Sequence, residues 1–221
     1  FGLYTRTSLT VLLVCMVSFH QRNIWLLSSS ELLMRLITLL MIFSPAGNAY
    51  SIDSLLGRKF HHFKQPKEWS PWVLRLIQIQ VSVVYLWTVW HKLKGNTWID
   101  GSAVYYATRL EDMKNFPVPF FLDWIPFIKM TTWATIFIEL AIGVLVWFKE
   151  FRKPVIVIGI LFHLGIEYMM SIPYFEIIMI SLLLLYFTPD EVRAFLNKIR
   201  KSLAGHIKES TVNDSVKAKM L

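Results

Sequence analysis

Lys92 is the residue in this chain best placed to do chemistry. It follows an apolar run, Val73 to Trp90, and stands within Tyr85-Leu-Trp-Thr-Val-Trp-His-Lys-Leu-Lys-Gly-Asn-Thr-Trp-Ile-Asp-Gly101. An amine at the mouth of a membrane helix has two uses. It snorkels, with its alkyl stem on apolar surface and its charge in water, or, once neutral, it takes a proton from a substrate. A free lysine titrates near about 10.4 and is a poor base at neutral pH. Desolvation favours the neutral form; the helix C-terminus, and a partner such as Asp100, favour the cation. Gln78, Tyr85 and Lys92 are seven residues apart and Thr88 is four before Lys92. These four share one stripe if the helix continues through Lys92, so that Gln78, Tyr85 and Thr88 line a cavity that Lys92 caps. Trp87 and Trp90 point elsewhere, whereas Trp98, in the loop that follows, is placed to stack on the amine.

Ionisable groups inside apolar runs are costly and point to function by default. Glu139 lies near the middle of one such run, and His163 and Glu167 are four apart on the next, sharing a face. A carboxylate beside an imidazole orients its tautomer. These three groups are expected to meet in a polar cavity; the plainer alternative is that they only hydrogen-bond a bundle together. Arg35 follows Glu31 by four residues, the spacing of an intrahelical ion pair. His61 and His62 are adjacent and would diverge on a helix, so no metal site is expected.

The elements that must position these groups are helices. Only 17% of the 221 residues are charged and 55% are hydrophobic, against about 25% charged in a soluble domain. The apolar residues cluster at about 7–21, 31–45, 73–90, 130–148, 154–171 and 172–188. A span needs about 20 such residues, or about 17 with snorkelling ends; the third, fourth and fifth runs suffice, and the others are short enough to be tilted, buried by neighbours or re-entrant. A soluble all-α protein would show a broad polar face on these runs, and they have none. The sequence therefore predicts an all-α fold, a polytopic transmembrane helix bundle with about six spans over residues 1–188, with the lipid bilayer as its first partner. Pro154 and Pro173 are read as first-turn prolines of the last two spans.

With six spans, 15 Lys and Arg fall on one side and six on the other, so the net charge of +8 reflects topology and not nucleic-acid binding. Loops 46–70 and 149–153 and the C-terminus are expected to be cytoplasmic, and loop 91–129, rich in aromatics and prolines, to face the periplasm or lumen. Thr188-Pro189-Asp190-Glu191 reads as a capping box. It launches an amphipathic interfacial helix over 189–204, with Val192, Phe195, Leu196, Ile199 and Leu203 opposite basic residues, suited to an anionic inner leaflet. Residues 205–221 read as a disordered polar tail. The single cysteine, Cys15, permits no intrachain disulfide and reads as a packing residue. Phe1-Gly-Leu-Tyr-Thr-Arg6 reads as the start of a helix already in progress, as in a fragment or processed chain.

Eight segments in order, Phe1 to Arg6, Ser18-Phe-His-Gln-Arg-Asn23, Tyr50-Ser-Ile-Asp53, Trp72 to Gln80, Tyr85 to Lys92, Trp98-Ile-Asp-Gly-Ser-Ala103, Glu139-Leu140 and His163-Leu164, resemble the HTTM family, the horizontally transferred transmembrane domain of vitamin K-dependent gamma-carboxylases and their bacterial relatives. The resemblance covers about residues 1–190 and implies a further membrane segment before Phe1. It also implies a lysine base that deprotonates vitamin K hydroquinone, which with oxygen yields the strong base that takes a γ-proton from a glutamate before CO2 adds. By the similarity of His91-Lys-Leu-Lys-Gly-Asn-Thr-Trp-Ile-Asp-Gly101 to the carboxylase segment, that base falls on Lys92. The departures are specific. No histidine stands in Ser28-Ser-Ser-Glu31, His91 replaces a lysine, and the carboxylase's large luminal domain and its disulfide have no counterpart after residue 190.

Two functions remain open on these residues. One is a carboxylase-like enzyme, a lyase, using vitamin K hydroquinone or another quinol. In it Lys92 is the base, in a cavity formed by Gln78, Tyr85, Thr88, His91, Trp98, Glu139, His163 and Glu167, and a protein or peptide glutamate is a conceivable substrate. The other is a non-catalytic membrane protein that binds a lipid, a quinone or a protein partner. Transport is disfavoured by the lack of an inverted repeat.

Overall fold

Leucine, isoleucine, valine and aromatic runs without interrupting charges wind into helices, and every regular element among the described residues is helical. The structure is a computed structural model that describes residues 2–22, 29–48, 51–59, 70–172 and 174–200. His61, His62, Pro173, Leu203 and the tail from Gly205 lie outside the described residues. The chain divides into two units, 1–184 and 185–221.

In the first unit, α1 spans Thr5–Arg22, α2 Ser29–Ile42, α3 Ile52–Lys59, α4 Trp72–Lys92, α5 Asn96–Ile99, α6 Ala103–Ala107, α7 Ile125–Leu145, α8 Lys149–Met169 and α9 Phe175–Leu184. The most extensive packing is α4 on α7 and α1 on α2, followed by α7 on α8 and α8 on α9. Gly143 permits the first of these, because a Cβ there would stand 3.0 Å from the Leu86 side chain and 3.6 Å from the Ser82 carbonyl. Trp147 Nε1 donates to Ser82 Oγ at 2.8 Å across the same contact.

The exterior is apolar where a soluble protein's would be polar, and several polar groups are buried among the apolar core. On α4, Gln78, Ser82 and Tyr85 are buried while Leu74, Leu76, Ile79, Val83, Leu86, Trp87 and Trp90 are exposed. On α7, Thr132 and Glu139 are buried and Phe137, Leu140 and Val144 exposed; on α8, His163 is buried and Val157, Ile158, Leu161 and Leu164 exposed. An apolar exterior of this extent marks a surface that is not meant for water. Two helices among the described residues, α4 and α7, are long and apolar enough to cross a membrane; at 21 residues each they are about 32 Å long.

Several boundaries depart from the sequence reading. The first helix starts at Thr5 and is not already in progress at Gly2, because Gly2 and Tyr4 take positive φ of 66° and 46°. The Asp53 carboxylate then caps α1, accepting Tyr4 N–H at 2.7 Å, Thr5 N–H at 2.8 Å and the Thr5 hydroxyl at 2.7 Å. Residues 149–153 are not a loop but the opening of α8, so Pro154 lies inside that helix rather than in its first turn. Having no N–H, it leaves the Glu150 carbonyl without its helical donor. Loop 91–129 is no plain linker; it folds into α5, α6 and two 3₁₀ turns, Glu111–Met113 and Phe120–Asp123.

In the second unit a helix, α10, covers residues 189–200. The capping box forms as the sequence predicts: Thr188 N–H donates to Glu191 Oε2 at 2.9 Å and Glu191 N–H to Thr188 Oγ1 at 3.3 Å. Val192, Phe195, Leu196 and Ile199 are exposed on it.

Candidate functional site

Helix α4 does continue through Lys92, its last residue, with the Leu93 N–H closing on Val89 at 3.0 Å. A turn at Leu93 and Lys94 leads through Gly95 into α5, and this sets the ring of Trp98 over Lys92 Nζ, 4.6 Å from the ring centroid. Gly95 makes this approach close, for a Cβ there would lie 3.1 Å from the Trp98 ring. From the other side Glu139, on α7, brings Oε1 into direct contact with Lys92 Nζ. Glu139 Oε2 accepts from the Thr88 hydroxyl at 3.2 Å, one turn below Lys92 on α4. The same hydroxyl lies 2.8 Å from the Tyr85 carbonyl; having one proton, it serves one acceptor at a time. The Lys92 side chain is 19% exposed and that of Glu139 9%. Lys92 and Glu139 thus form a shielded ion pair with an aromatic lid.

Two turns deeper on the α4 stripe lies a second cluster. Tyr85 Oη is 2.6 Å from His163 Nε2, and His163 Nδ1 contacts Glu176 Oε2. These side chains come from α4, α8 and α9 and are buried. The structure therefore supplies His163 with a carboxylate from Glu176, which sequence spacing did not single out. Glu167, on the same helix as His163, is exposed, and its carbonyl accepts Asn115 Nδ2 at 2.8 Å. The signal that could have found Glu176 is its charge within the last apolar run.

The remaining predicted residues lie elsewhere. Gln78 is buried on the same stripe and accepts from Arg75 Nη1 at 3.0 Å, but it is fourteen residues, or about 21 Å of helix, below Lys92. His91 is exposed and stacks on Trp87 at 4.6 Å between centroids. Asp100 is exposed in the loop and accepts Ser102 N–H at 2.8 Å. The Ser102 hydroxyl and N–H, with the charge of Lys129 and against a small cost of desolvation, hold its carboxyl below the usual aspartate range. Arg35 and Glu31 are joined by a residue from α1: His20 Nδ1 accepts from Arg35 Nε at 2.6 Å and its Nε2 lies 3.4 Å from Glu31 Oε1. No cluster of three or more His, Cys, Asp or Glu capable of holding a metal is found among the described residues.

The HTTM domain matches residues 1–190. The uncharacterized protein YitO of Bacillus subtilis (strain 168) is 28% identical over 135 residues, 58% of this chain and 43% of its own. The sporulation-delaying protein SdpB of the same organism is 28% identical over 131 residues, 57% of this chain and 41% of its own. The alignments span about two fifths of either relative. No solved structure matches the chain.

Proposed function

Because the chain belongs to the HTTM domain family, we propose that it is a membrane enzyme in which Lys92 and Glu139 handle the proton of a quinol, after the pattern of the vitamin K-dependent gamma-carboxylases it resembles. The observation that carries this reading is the contact of a shielded amine with a carboxylate from another helix, beneath an indole face. To act as a base the Lys92 nitrogen must offer a lone pair. Glu139 is the group that can take the ammonium proton without leaving net charge behind, and the Thr88 hydroxyl steadies the carboxyl in either state. Trp98 keeps water from the amine and offers an aromatic surface.

The donor set suits a quinol: an amine for a phenolic proton, a ring to stack on, and an apolar exterior through which a lipid-soluble molecule arrives. When bound, such a molecule supplies an acidic O–H and two electrons. The absence of a histidine in Ser28 to Glu31 and the presence of His91 in place of a lysine direct the proposal toward quinol oxidation rather than carboxylation of protein glutamate.

The topology that accompanies this reading follows the charge asymmetry, with Lys92 and residues 91–129 outward and the start of α8 and α10 at the cytoplasmic face. Helices α4 and α7 are long and apolar enough to cross, α8 equals them in length at 21 residues, and α2 and α9, at 14 and 10 residues, cover about 21 and 15 Å and fall short alone. The bundle is proposed as residues 1–188 and the interfacial helix as 189–204.

The same contact also favours a second reading, in which Lys92 only ties α4 to α7 and the chain holds a lipid, quinone or protein partner without turnover. Purified protein given vitamin K hydroquinone and oxygen separates the two. On the first reading the wild type forms epoxide and Lys92→Met loses about 100-fold or more, the size of a general-base contribution. A folded wild type that forms none refutes the enzyme and leaves the tie.

A further inference from the structure

The chemistry above makes no use of Tyr85, His163 and Glu176, although they are among the most deeply buried groups in the bundle, 2%, 2% and 1% exposed. Their protons can be counted. With an ionised carboxylate and a neutral imidazole, Nδ1–H would donate to Glu176 Oε2, Nε2 would accept the Tyr85 O–H, and the cluster would carry one negative charge. The first turn of α9, where Glu176 stands, offsets only part of that charge: among the described residues no lysine or arginine is buried, and the nearest amine on the α4 stripe, Lys92, is engaged by Glu139. An uncompensated charge in such a place costs several kcal/mol even after relaxation.

A second observation points the same way. Glu176 Oε1 is buried and no donor among the described residues reaches it. An ionised carboxylate with one bare oxygen bears the full desolvation penalty, whereas a neutral or proton-sharing carboxyl bears much less. One additional proton, held between Nδ1 and Oε2, cancels the charge whichever of the two atoms carries it. The ring's other proton must then sit on Nε2 and be donated to the Tyr85 oxygen, which turns the Tyr85 hydroxyl proton toward a different acceptor.

We propose that Tyr85, His163 and Glu176 form a proton-binding site inside the helix bundle, loaded with one proton beyond an ionised carboxylate and a neutral imidazole. The ligand is the proton itself. Intramembrane carboxylate and imidazole chains commonly serve as relays, and this one sits on the same stripe as the amine, about 10 Å along α4 from it. Loss of the proton would reverse the Nε2–Tyr85 hydrogen bond, so a helix that reaches Lys92 registers the state of the site. The inference does not depend on the role given to Lys92.

The test uses the full chain, labelled with ¹⁵N-histidine and held in lipid nanodiscs near neutral pH, with NMR reading which ring nitrogens are protonated. Of the six histidines, His163 is identified by the resonances lost in His163→Gln. If that variant does not fold, it is identified by those that shift in Tyr85→Phe, which removes only a hydroxyl. A protonated Nε2, with or without a proton on Nδ1, is the expected result. A bare Nε2 with the single ring proton on Nδ1 means that Tyr85 donates and the carboxylate is ionised, and it overturns the proposal. Neither outcome is altered by activity at Lys92.

Discussion

Replacing Lys92 by methionine keeps most of the side-chain volume and strips one of Glu139's two oxygens of its partner. The carboxylate is then left at the α4–α7 contact, 9% exposed, with only the Thr88 hydroxyl 3.2 Å away. Removing one member of a buried pair destabilises by about 3–5 kcal/mol because the remaining charge is stranded. Since the amine is itself 19% exposed, the lower end, about 3 kcal/mol, is expected for Lys92→Met. Glu139→Leu should cost less, because a lysine at a helix end can swing its amine to the surface. The double variant removes both charges and should return to within about 1 kcal/mol of wild type, since an apolar replacement of a buried pair is often neutral. The coupling energy should therefore be about 2–3 kcal/mol, at the upper end for neighbouring residues. Reversible unfolding of the four proteins in mixed micelles, followed by tryptophan fluorescence, measures it. Additive single losses, with coupling below about 0.5 kcal/mol, would refute the claim that these two groups form one shielded unit.

The cap on α1 should be titratable. Burial raises the Asp53 carboxyl, but hydrogen bonds from the Thr5 hydroxyl, Thr5 N–H and Tyr4 N–H outweigh it and hold it below the ordinary 3.8. A carboxyl depressed by folding contributes stability that is present above its ordinary value and is lost as pH falls through the lower folded value. Unfolding measured from about pH 5 downward should show a shallower slope in Asp53→Asn than in wild type, which keeps the Asp53 contribution beside that of Asp100, while Asp53→Ala should lose about 2 kcal/mol of cap at any pH above that window. Thr188→Ala breaks the capping box before α10 and should speed amide exchange at Glu191 about five-fold, the equivalent of roughly 1 kcal/mol. Asn115→Cys should be labelled by a membrane-impermeant maleimide added from outside intact cells, and labelling from the cytoplasm alone would invert the proposed topology.

Much of the site could be read from spacing. A period of 3.6 residues places Tyr85, Thr88 and Lys92 on one stripe whatever packs against it, and the structure keeps them there. Trp98 is legible as an aromatic in the loop that follows Lys92, and the structure brings its ring over the amine. The carboxylate partners were less legible. Spacing offered Asp100 to Lys92, Glu167 to His163 and Glu31 to Arg35, all neighbours along the chain. The structure turns Asp100 to Ser102, exposes Glu167, and inserts His20 from α1 between Arg35 and Glu31.

What the sequence determined by itself was therefore intrahelical: that the chain is helical and apolar on its exterior, where its charges fall along each helix, and that Thr188 to Glu191 would cap a helix. These follow from local rules, period, propensity and hydropathy, that act within one or two turns. What only the tertiary structure decided was which helix face turns inward and which helix supplies the counter-charge. Glu139 meets Lys92 because α7 packs on α4, close enough for Gly143 to lie against Leu86, and Glu176 meets His163 because α9 packs on α8. Buried charge is too costly to leave unmatched, but the partner that matches it is chosen by packing across helices, which no one-dimensional spacing encodes.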